Sequence, residues 1–519
     1  MHTSKPRTKI LINYNVVLIA GLSYIYLPIV IFLFGFTKLY IALPVAVVLL
    51  LFLRTLLHDY SEDINSNHNG HLEIPWRTLT ISILALLFFC LLCGYGSGYF
   101  PQASDWNKHN AILHDLTEQS WPVYYVKGDE HSMLTYYIAH YIVPCFFGNI
   151  FHSFALTEWL LLLWNFIGLI LVFFSLIYLL KISTTKRILL TLFVMLFYSG
   201  ALLLAQGAAE IFYGEYMHTS ELTPLARTMW FQSDVFKLQY KSAFTSLRWT
   251  FHQWLTPCLM TTLFLRFKNQ PQHYVLLLLP MVLYASLSFL GFLPIVMGQA
   301  LYLLCTHKKK QEILKRIFGL ENIIVFLLLG GILILYFYGN ILSEKPAHIA
   351  PYLVKYGNLF GCYIIYCFFM FGIHALLVYK RYRKDAIFIS TVATLLSLPL
   401  FNMGRNNDFV LSGGTIGMFL IMFYILDYLF HETNTLLVRI KKYALIVLMV
   451  IGIICPIQEV IYILQTNMLG TQVADNLQTL NAVADRHDDT IRDDYKYNYF
   501  SYDIEHNIFY KYIARRKIQ

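Results

Sequence analysis

Apolar runs of about twenty residues recur along the whole chain and are separated by polar connections. A run of that length can cross the hydrocarbon core of a bilayer as a helix. We count thirteen such runs, and they predict an all-α polytopic membrane protein, because helices satisfy their own backbone polar groups within lipid. Their approximate limits are 14–35, 39–56, 78–98, 157–180, 188–206, 251–265, 273–287, 291–306, 321–342, 358–379, 386–401, 415–431 and 443–464.

The distribution of Lys and Arg between the connections predicts the orientation. Seven alternate connections hold 22 of the 39 Lys and Arg residues, and the six connections between them hold 10. The seven are 1–13, 54–77, 181–187, 266–273, 306–317, 380–384 and 431–442. Because short cytoplasmic connections carry the excess of positive charge, these seven are predicted to be cytoplasmic.

This orientation divides the chain into a transmembrane domain, 1–464, with its N-terminus in the cytoplasm, and a small extracytoplasmic tail, 465–519. It depends on a tight external turn at Ser286–Phe292, between two of the apolar runs. The predicted extracytoplasmic loops are 99–156, 207–250, 343–357 and 402–414.

Composition narrows the class of protein. Residues of hydrophobic type make up 57% of the chain and charged residues 13%, well below the roughly 25% typical of soluble proteins. The net charge of +9 lies in the connections, so it does not predict a nucleic-acid partner. No Asn-x-Ser/Thr acceptor occurs, which favours a multi-pass protein of a bacterial plasma membrane over one of the secretory pathway.

The first long external loop contains the clearest candidate chemistry. The segment from Ser104 to Leu116 has the pattern of a helix lying on the membrane surface. Lys108 and His109 lie three and four residues after Asp105, so both share a face of that helix with it. A carboxylate beside a cation and an imidazole can act as a base and can hold a phosphate. The alternative is the ordinary solvated face of an interfacial helix.

Aromatic residues surround this segment. Trp106, Trp121 and Tyr125 are candidates for contact with a sugar or a lipid chain. Aromatic rings are also common at the headgroup level of any membrane protein, and this second interpretation stays open.

The later external loops add further candidates for an anion site. Arg248 and His252 are four residues apart at the mouth of the sixth span, although Arg248 can equally extend to the interface to anchor a helix end. In the loop 402–414, Arg405 has the forked geometry that suits a phosphate, with Asn407 and Asp408 beside it. Gly-Arg-Asn-Asn is also a reasonable tight turn.

The pattern resembles the GT-C superfamily of integral membrane glycosyltransferases, which are multispan proteins with an acidic residue in an early extracytoplasmic loop. The residues that carry the resemblance are Asp105 in Ser104-Asp-Trp-Asn-Lys-His109, the loops 99–156 and 207–250, and Arg405 with Asp408. The sequence departs from the family in two ways. The acidic loop follows the third span and not the first, and no second acidic residue stands beside Asp105, which leaves a requirement for a divalent metal open.

The resemblance implies transfer of a sugar from a polyprenyl-phosphate-linked donor to a glycan, lipid or protein outside the membrane. Asp105 is then the expected base, with Asp115 as a second candidate and His109 as a further catalytic group. The expected contacts to the donor phosphate are Lys108, Arg248, His252 and Arg405. The expected contacts to sugar or lipid are Trp106, Trp121, Tyr125, Asn407 and Asp408. No metal-ligating residues are predicted.

Three other functions remain as alternatives. A polysaccharide polymerase or ligase of the O-antigen type also uses lipid-linked sugars, but typically relies on paired arginines and a histidine. A transporter or flippase is expected to carry ionisable groups near the bilayer midplane. A membrane O-acyltransferase would be built around His374, within the tenth span.

Overall fold

A computed structural model describes most of the chain. The described residues are 9–65, 71–96, 99–127, 130–217, 230–232, 237–341, 348–349, 360–404, 407–433, 435–465, 478–485, 498–501 and 504–518. Within them, eight helices are long and apolar enough to cross a membrane, or nine if one pair bent by 45° is a single span. The predicted all-α polytopic membrane protein is therefore confirmed at this level, while the count of thirteen spans stays a prediction.

The helices follow the apolar pattern closely. They are α1 (Tyr14–Phe36), α2 (Leu39–Asn65), α3 (Trp76–Leu92), α4 (Trp106–Glu118), α5 (Ala139–Ile150), α6 (Phe154–Leu179), α7 (Thr185–Phe197), α8 (Leu202–Met217), α9 (Ala243–Thr250), α10 (Leu255–Phe267), α11 (Tyr274–Leu278), α12 (Met281–Thr306), α13 (Lys310–Ile317), α14 (Leu320–Val325), α15 (Gly331–Ile341), α16 (Phe360–Cys367), α17 (Ile373–Tyr382), α18 (Ala386–Ser397), α19 (Asp408–His431), α20 (Leu436–Gln465) and α21 (Leu480–Asp485). π-Helical turns at Phe326–Gly330 and Phe368–Gly372 join α14 to α15 and α16 to α17.

The predicted external turn at Ser286–Phe292 is wrong, because these residues are helical within α12. The backbone breaks one residue earlier, at Ala285, where φ is −167° and ψ is 82°. The Ser286 hydroxyl donates a 2.9 Å hydrogen bond to the Val282 carbonyl, four residues back. A serine that bonds back in this way is compatible with a helix, so its polarity does not mark a turn.

The basic connections nonetheless lie on one face, because they contact one another. Strand β1 (Lys9–Asn13) pairs antiparallel with β2 (His71–Pro75). The other contacts join His273 to Asp59 and Glu321, Lys268 to Asp385, Arg381 to Glu432, and His431 to the Leu180 carbonyl. We call this the basic face. Its assignment to the cytoplasm stays a prediction.

The opposite face carries a small antiparallel sheet that includes the C-terminal segment. Its strand order is β3 (Tyr124–Lys127), β4 (Glu130–Leu134) and β9 (Phe500–Ser501). Two-residue strands form two further pairs, β5 (Phe231–Gln232) with β6 (Lys237–Leu238) and β7 (His348–Ile349) with β8 (Phe401–Asn402). The described part of the tail is therefore packed onto this face. Of the predicted loop 343–357, only the two residues of β7 are described.

Candidate functional site

Helix α4 forms where the sequence predicts it, but it is more deeply embedded than a surface helix. Ile112, Leu113 and Leu116 are buried, and His109 is fully buried. The face shared by Asp105, Lys108 and His109 is therefore divided. The first two side chains retain some exposure, and the imidazole points into the protein.

Three aromatic side chains anchor this region to the C-terminal end of α9. The Tyr95 hydroxyl, the Trp106 indole and the His109 Nε2 bond the carbonyls of Leu247, Arg248 and Trp249 at 2.6, 2.8 and 2.8 Å. The last carbonyls of a helix have no hydrogen-bond donors within the helix, and these three side chains act as the donors for α9. Because Asp105 precedes α4 and Arg248 belongs to α9, the anchor fixes one relative to the other.

Asp105 and Lys108 form an ion pair at the start of α4. The Lys108 Nζ lies 2.8 Å from the Asp105 Oδ2, and the two side chains are 17% and 34% exposed. Burial is the largest single influence on the pKa of the Asp105 carboxyl and raises it, but the charge and hydrogen bond of Lys108, together with His109 and Lys241, outweigh burial, and the net shift is downward. Asp105 is therefore a carboxylate at neutral pH and can accept a proton or a hydrogen bond.

A second ion pair joins α9 to α20. The Arg248 Nε is 3.5 Å from the Glu459 Oε1, and both side chains are almost completely buried. The Glu459 carboxylate also accepts hydrogen bonds from the Thr245 hydroxyl at 2.9 Å and the Trp249 indole at 2.7 Å. Two guanidinium nitrogens of Arg248, Nε and Nη1, have no hydrogen-bond partner among the described residues. Nε still faces Glu459 in the ion pair, whereas Nη1 is a buried donor of the kind that usually finds a partner, so Nη1 is available to an anion.

Lys241 completes the group. Its Nζ donates to the Thr250 hydroxyl at 3.3 Å, and within the described chain no carboxylate lies at ion-pair distance. Burial lowers the pKa of Lys241 to about 8, against the opposing charges of Asp105 and Asp408. We call Asp105, Lys108, Lys241, Arg248 and Glu459 the charged cluster.

Two members of the charged cluster were missed from the sequence. Lys241 is one lysine among many polar residues of the loop 207–250, and it carries no spacing signal. Glu459 did carry one, because an ionisable residue within an apolar run is costly and usually functional.

His109 and His252 do not offer a free nitrogen to the cluster. The His109 Nδ1 lies 2.7 Å from the Tyr141 hydroxyl, and the two ring nitrogens of His252 lie 3.2 Å from the hydroxyls of Tyr141 and Tyr136. Burial, aided by the charge of Lys108, lowers the pKa of His109 to about 3. His252 is fully buried and its ring nitrogens contact hydroxyls and no carboxylate, an environment that favours the uncharged ring. Both rings are neutral at pH 7. Because their ring nitrogens are used within the protein, neither histidine is placed to contact a ligand at the charged cluster.

Asp115 lies apart from Asp105, ten residues further along α4 or about 15 Å at the usual helical rise. Its fully buried carboxylate accepts hydrogen bonds from the Tyr125 hydroxyl at 2.7 Å, the Leu480 amide at 2.9 Å and the His114 Nδ1 at 3.1 Å. The hydrogen bond to Asp115 raises the pKa of His114. These contacts tie α4 to the C-terminal segment, and they give Asp115 a structural role.

Two of the three predicted aromatic contacts, Trp106 and Tyr125, are buried, and Trp121 is partly buried. Trp106 is 2% exposed and Tyr125 is 6% exposed. The Trp121 indole donates to the Leu116 carbonyl at 2.8 Å, and its ring packs against Phe36. Trp106 and Tyr125 therefore present no open face to a ligand, whereas part of Trp121 stays exposed.

The loop 402–414 is described only in part. Arg405 lies outside the described residues. Asn407 precedes α19 with a φ of 53°, a left-handed conformation that asparagine tolerates, and it is buried. Asp408 begins α19, and its charge acts on Lys241, so it lies near the charged cluster.

Among the described residues, no group of three or more His, Cys, Asp or Glu side chains is arranged to hold a metal ion. The chain matches no protein-family model, no curated protein and no solved structure. A proposal for the function therefore rests on the charged cluster alone.

Proposed function

We propose that the protein is a membrane glycosyltransferase that moves a sugar from a polyprenyl-phosphate-linked donor to an extracytoplasmic acceptor. The observation that supports this proposal most strongly is the charged cluster itself. It combines an ionised carboxylate, Asp105, with three cations: Lys108, Arg248, whose Nη1 has no hydrogen-bond partner among the described residues, and Lys241, which has no carboxylate partner there. A base and an anion site are the two parts that this chemistry requires.

In the proposed reaction, Asp105 accepts the proton of the acceptor hydroxyl. The acceptor oxygen forms a bond to the anomeric carbon of the sugar, the bond from that carbon to the phosphate oxygen breaks, and the phosphate leaves with the electron pair. Lys241 and the Nη1 donor of Arg248 stabilise the added negative charge. Lys108 can divide its charge between Asp105 and the phosphate, which would leave Asp105 a stronger base.

The position of the cluster favours this function over the alternatives. The cluster lies at the ends of helices and not at their middles, since Glu459 is six residues from the end of α20. A transporter is expected to place ionisable groups near the midplane. A ligase of the O-antigen type would need a reactive histidine, whereas His252 uses both ring nitrogens. An O-acyltransferase would need an activated histidine, whereas neither ring nitrogen of His374 has a hydrogen-bond partner among the described residues.

The test is transfer from a panel of labelled polyprenyl-phosphate sugars by purified protein, comparing the wild type with Asp105→Asn. We expect the variant to bind donor but to lose about 10²- to 10⁴-fold in rate, the range that a general base contributes. Asp485→Asn is a matched control, because Asp485 also pairs with a lysine at 2.8 Å, Lys127 of β3.

Two results would contradict the proposal. Transfer by Asp105→Asn at the wild-type rate would show that Asp105 is not the base. Failure of the wild type to bind any donor in the panel would remove the transferase from consideration and favour a transporter.

A further inference from the structure

A chain of buried hydrogen bonds passes directly behind the charged cluster. It runs from the Trp249 carbonyl to His109, then to the Tyr141 hydroxyl, to His252 and to the Tyr136 hydroxyl. Both imidazoles and the Tyr141 ring are fully buried, and the Phe251 ring packs against both imidazoles. Each member therefore depends on the next for its hydrogen bond.

The order of protons along this chain follows from its first member. A carbonyl only accepts, so the His109 Nε2 must carry the hydrogen that it donates to Trp249. In a neutral imidazole the other nitrogen is then an acceptor, and the Tyr141 hydroxyl must donate to the His109 Nδ1.

The same reasoning fixes the second imidazole. The hydroxyl hydrogen of Tyr141 is already used, so its oxygen must accept from the His252 Nδ1. The His252 Nε2 is then unprotonated and accepts from the Tyr136 hydroxyl. The two histidines consequently hold opposite tautomers, and neither can change alone without breaking one of its hydrogen bonds: that to the Trp249 carbonyl for His109, and that to the Tyr141 hydroxyl for His252.

We propose that this proton order makes His109, Tyr141 and His252 positioning residues, which hold Asp105, just before α4, and Lys108 within it in register with Arg248 of α9. The positioning role in catalysis rests on the proposed function. The proton order and its anchoring of α4 do not.

The anchoring follows from how the two helices meet. The His109 amide donates to the Asp105 carbonyl at 3.3 Å, so the imidazole lies one helical turn from the proposed base. The carbonyl that His109 grips belongs to Trp249, the neighbour of Arg248. In the other tautomer, a lone pair of His109 would face the Trp249 carbonyl and repel it, which would leave the Trp106 indole as the remaining α4 side chain among these contacts to α9.

The first experiment measures the tautomers directly. Protein labelled with ¹⁵N at histidine is compared with His109→Gln and His252→Gln by NMR at pH 7, so that each missing pair of signals is assigned. We expect His109 to be protonated at Nε2 and His252 at Nδ1. The same tautomer in both rings, or a cationic ring at either site, would overturn the proton order.

The second experiment distinguishes the two hydrogen bonds of His109, that of Nε2 to the Trp249 carbonyl and that of Nδ1 to the Tyr141 hydroxyl. A glutamine amide can reach the Trp249 carbonyl, as Nε2 does, whereas the shorter asparagine amide falls near the position of Nδ1. We expect hydrogen exchange of the amides at 106–110 to rise in His109→Asn and to remain near wild type in His109→Gln. Equal exchange in the two variants would show that the grip on Trp249 does not hold α4, whether or not the protein transfers sugar.

The effect of this positioning on catalysis is tested with Tyr141→Phe, which removes the hydroxyl that joins His109 to His252. We expect kcat for transfer to fall about tenfold or more with little change in the donor KM, because the base is misplaced while the cations remain. Tyr125→Phe is the control. The Tyr125 hydroxyl also donates to a side chain of α4, Asp115, but it is not part of the hydrogen-bonded series from His109 to Tyr136. An equal loss in both variants would refute a specific positioning role.

Discussion

The two carboxylates of the α4 region give opposite predictions for one substitution, Asp to Leu, which keeps the branching of the side chain and removes its charge. At Asp115 the change leaves the Tyr125 hydroxyl and the Leu480 amide without an acceptor in a fully buried site. Each buried donor left unpaired costs about 1–3 kcal/mol. Asp115→Leu should therefore lower the free energy of unfolding by about 2–6 kcal/mol, a large part of the roughly 5–15 kcal/mol of a typical domain.

At Asp105 the same change removes one partly exposed ion pair. Pairs of that kind contribute about 1 kcal/mol or less, so Asp105→Leu should unfold much like the wild type and yet be inactive.

Equilibrium unfolding in detergent measures both effects. Limited proteolysis adds a local reading, because loss of the Leu480 hydrogen bond should expose the C-terminal segment only in Asp115→Leu. Equal stability of the two variants would refute the structural role of Asp115. A stable but inactive Asp115→Leu would restore Asp115 as the candidate base.

Three further predictions follow from the same contacts. Burial lowers the pKa of Lys241 to about 8, so the donor KM should rise as the pH passes that value, and Lys241→Arg, which stays charged, should remove the rise. The hydrogen bond to its neighbouring carboxylate raises the pKa of His114 above 6.5, so the stability from its charged form is complete below pH 6.5 and is lost at higher pH. The unfolding free energy should consequently fall more steeply above pH 6.5 in the wild type than in His114→Gln. Gly291→Ala should cost about 1–3 kcal/mol or more in unfolding assays, because its Cβ would lie 2.1 Å from the Gly413 carbonyl oxygen, whereas Gly331→Ala, with no atom within 4 Å, should be tolerated.

The sequence predicts what depends on local patterns. Apolar runs specify the long helices, and spacing of three residues specifies the pair of Asp105 with Lys108. The turn at Ser286–Phe292 fails because a serine can satisfy its hydroxyl inside a helix. Helix α4 is predicted correctly as an element, but its buried side is not, because His109 is a polar residue whose partner lies 140 residues away.

The composition of the charged cluster depends on contacts that no spacing encodes. Glu459 reaches Arg248 from α20, more than two hundred residues later in the chain. Lys241 has meaning only beside Asp105 and Asp408, which come from different parts of the sequence. The sequence therefore suggests where the chemistry lies, and the packing of the helices decides which residues take part.

The charges of the cluster also predict how it responds to a ligand. A buried guanidinium with unpaired donors and a lysine without a carboxylate partner both destabilise the folded state, because each loses hydration that the protein does not fully replace. An anion that satisfies them should offset this loss and bind the folded form alone. At a donor concentration of 100 times Kd, the gain in unfolding free energy should be about 2.7 kcal/mol. It should be much smaller in Lys241→Gln and unchanged in Lys127→Gln, whose lysine already pairs with a carboxylate on the surface. Equal gains in the two variants would place the anion elsewhere.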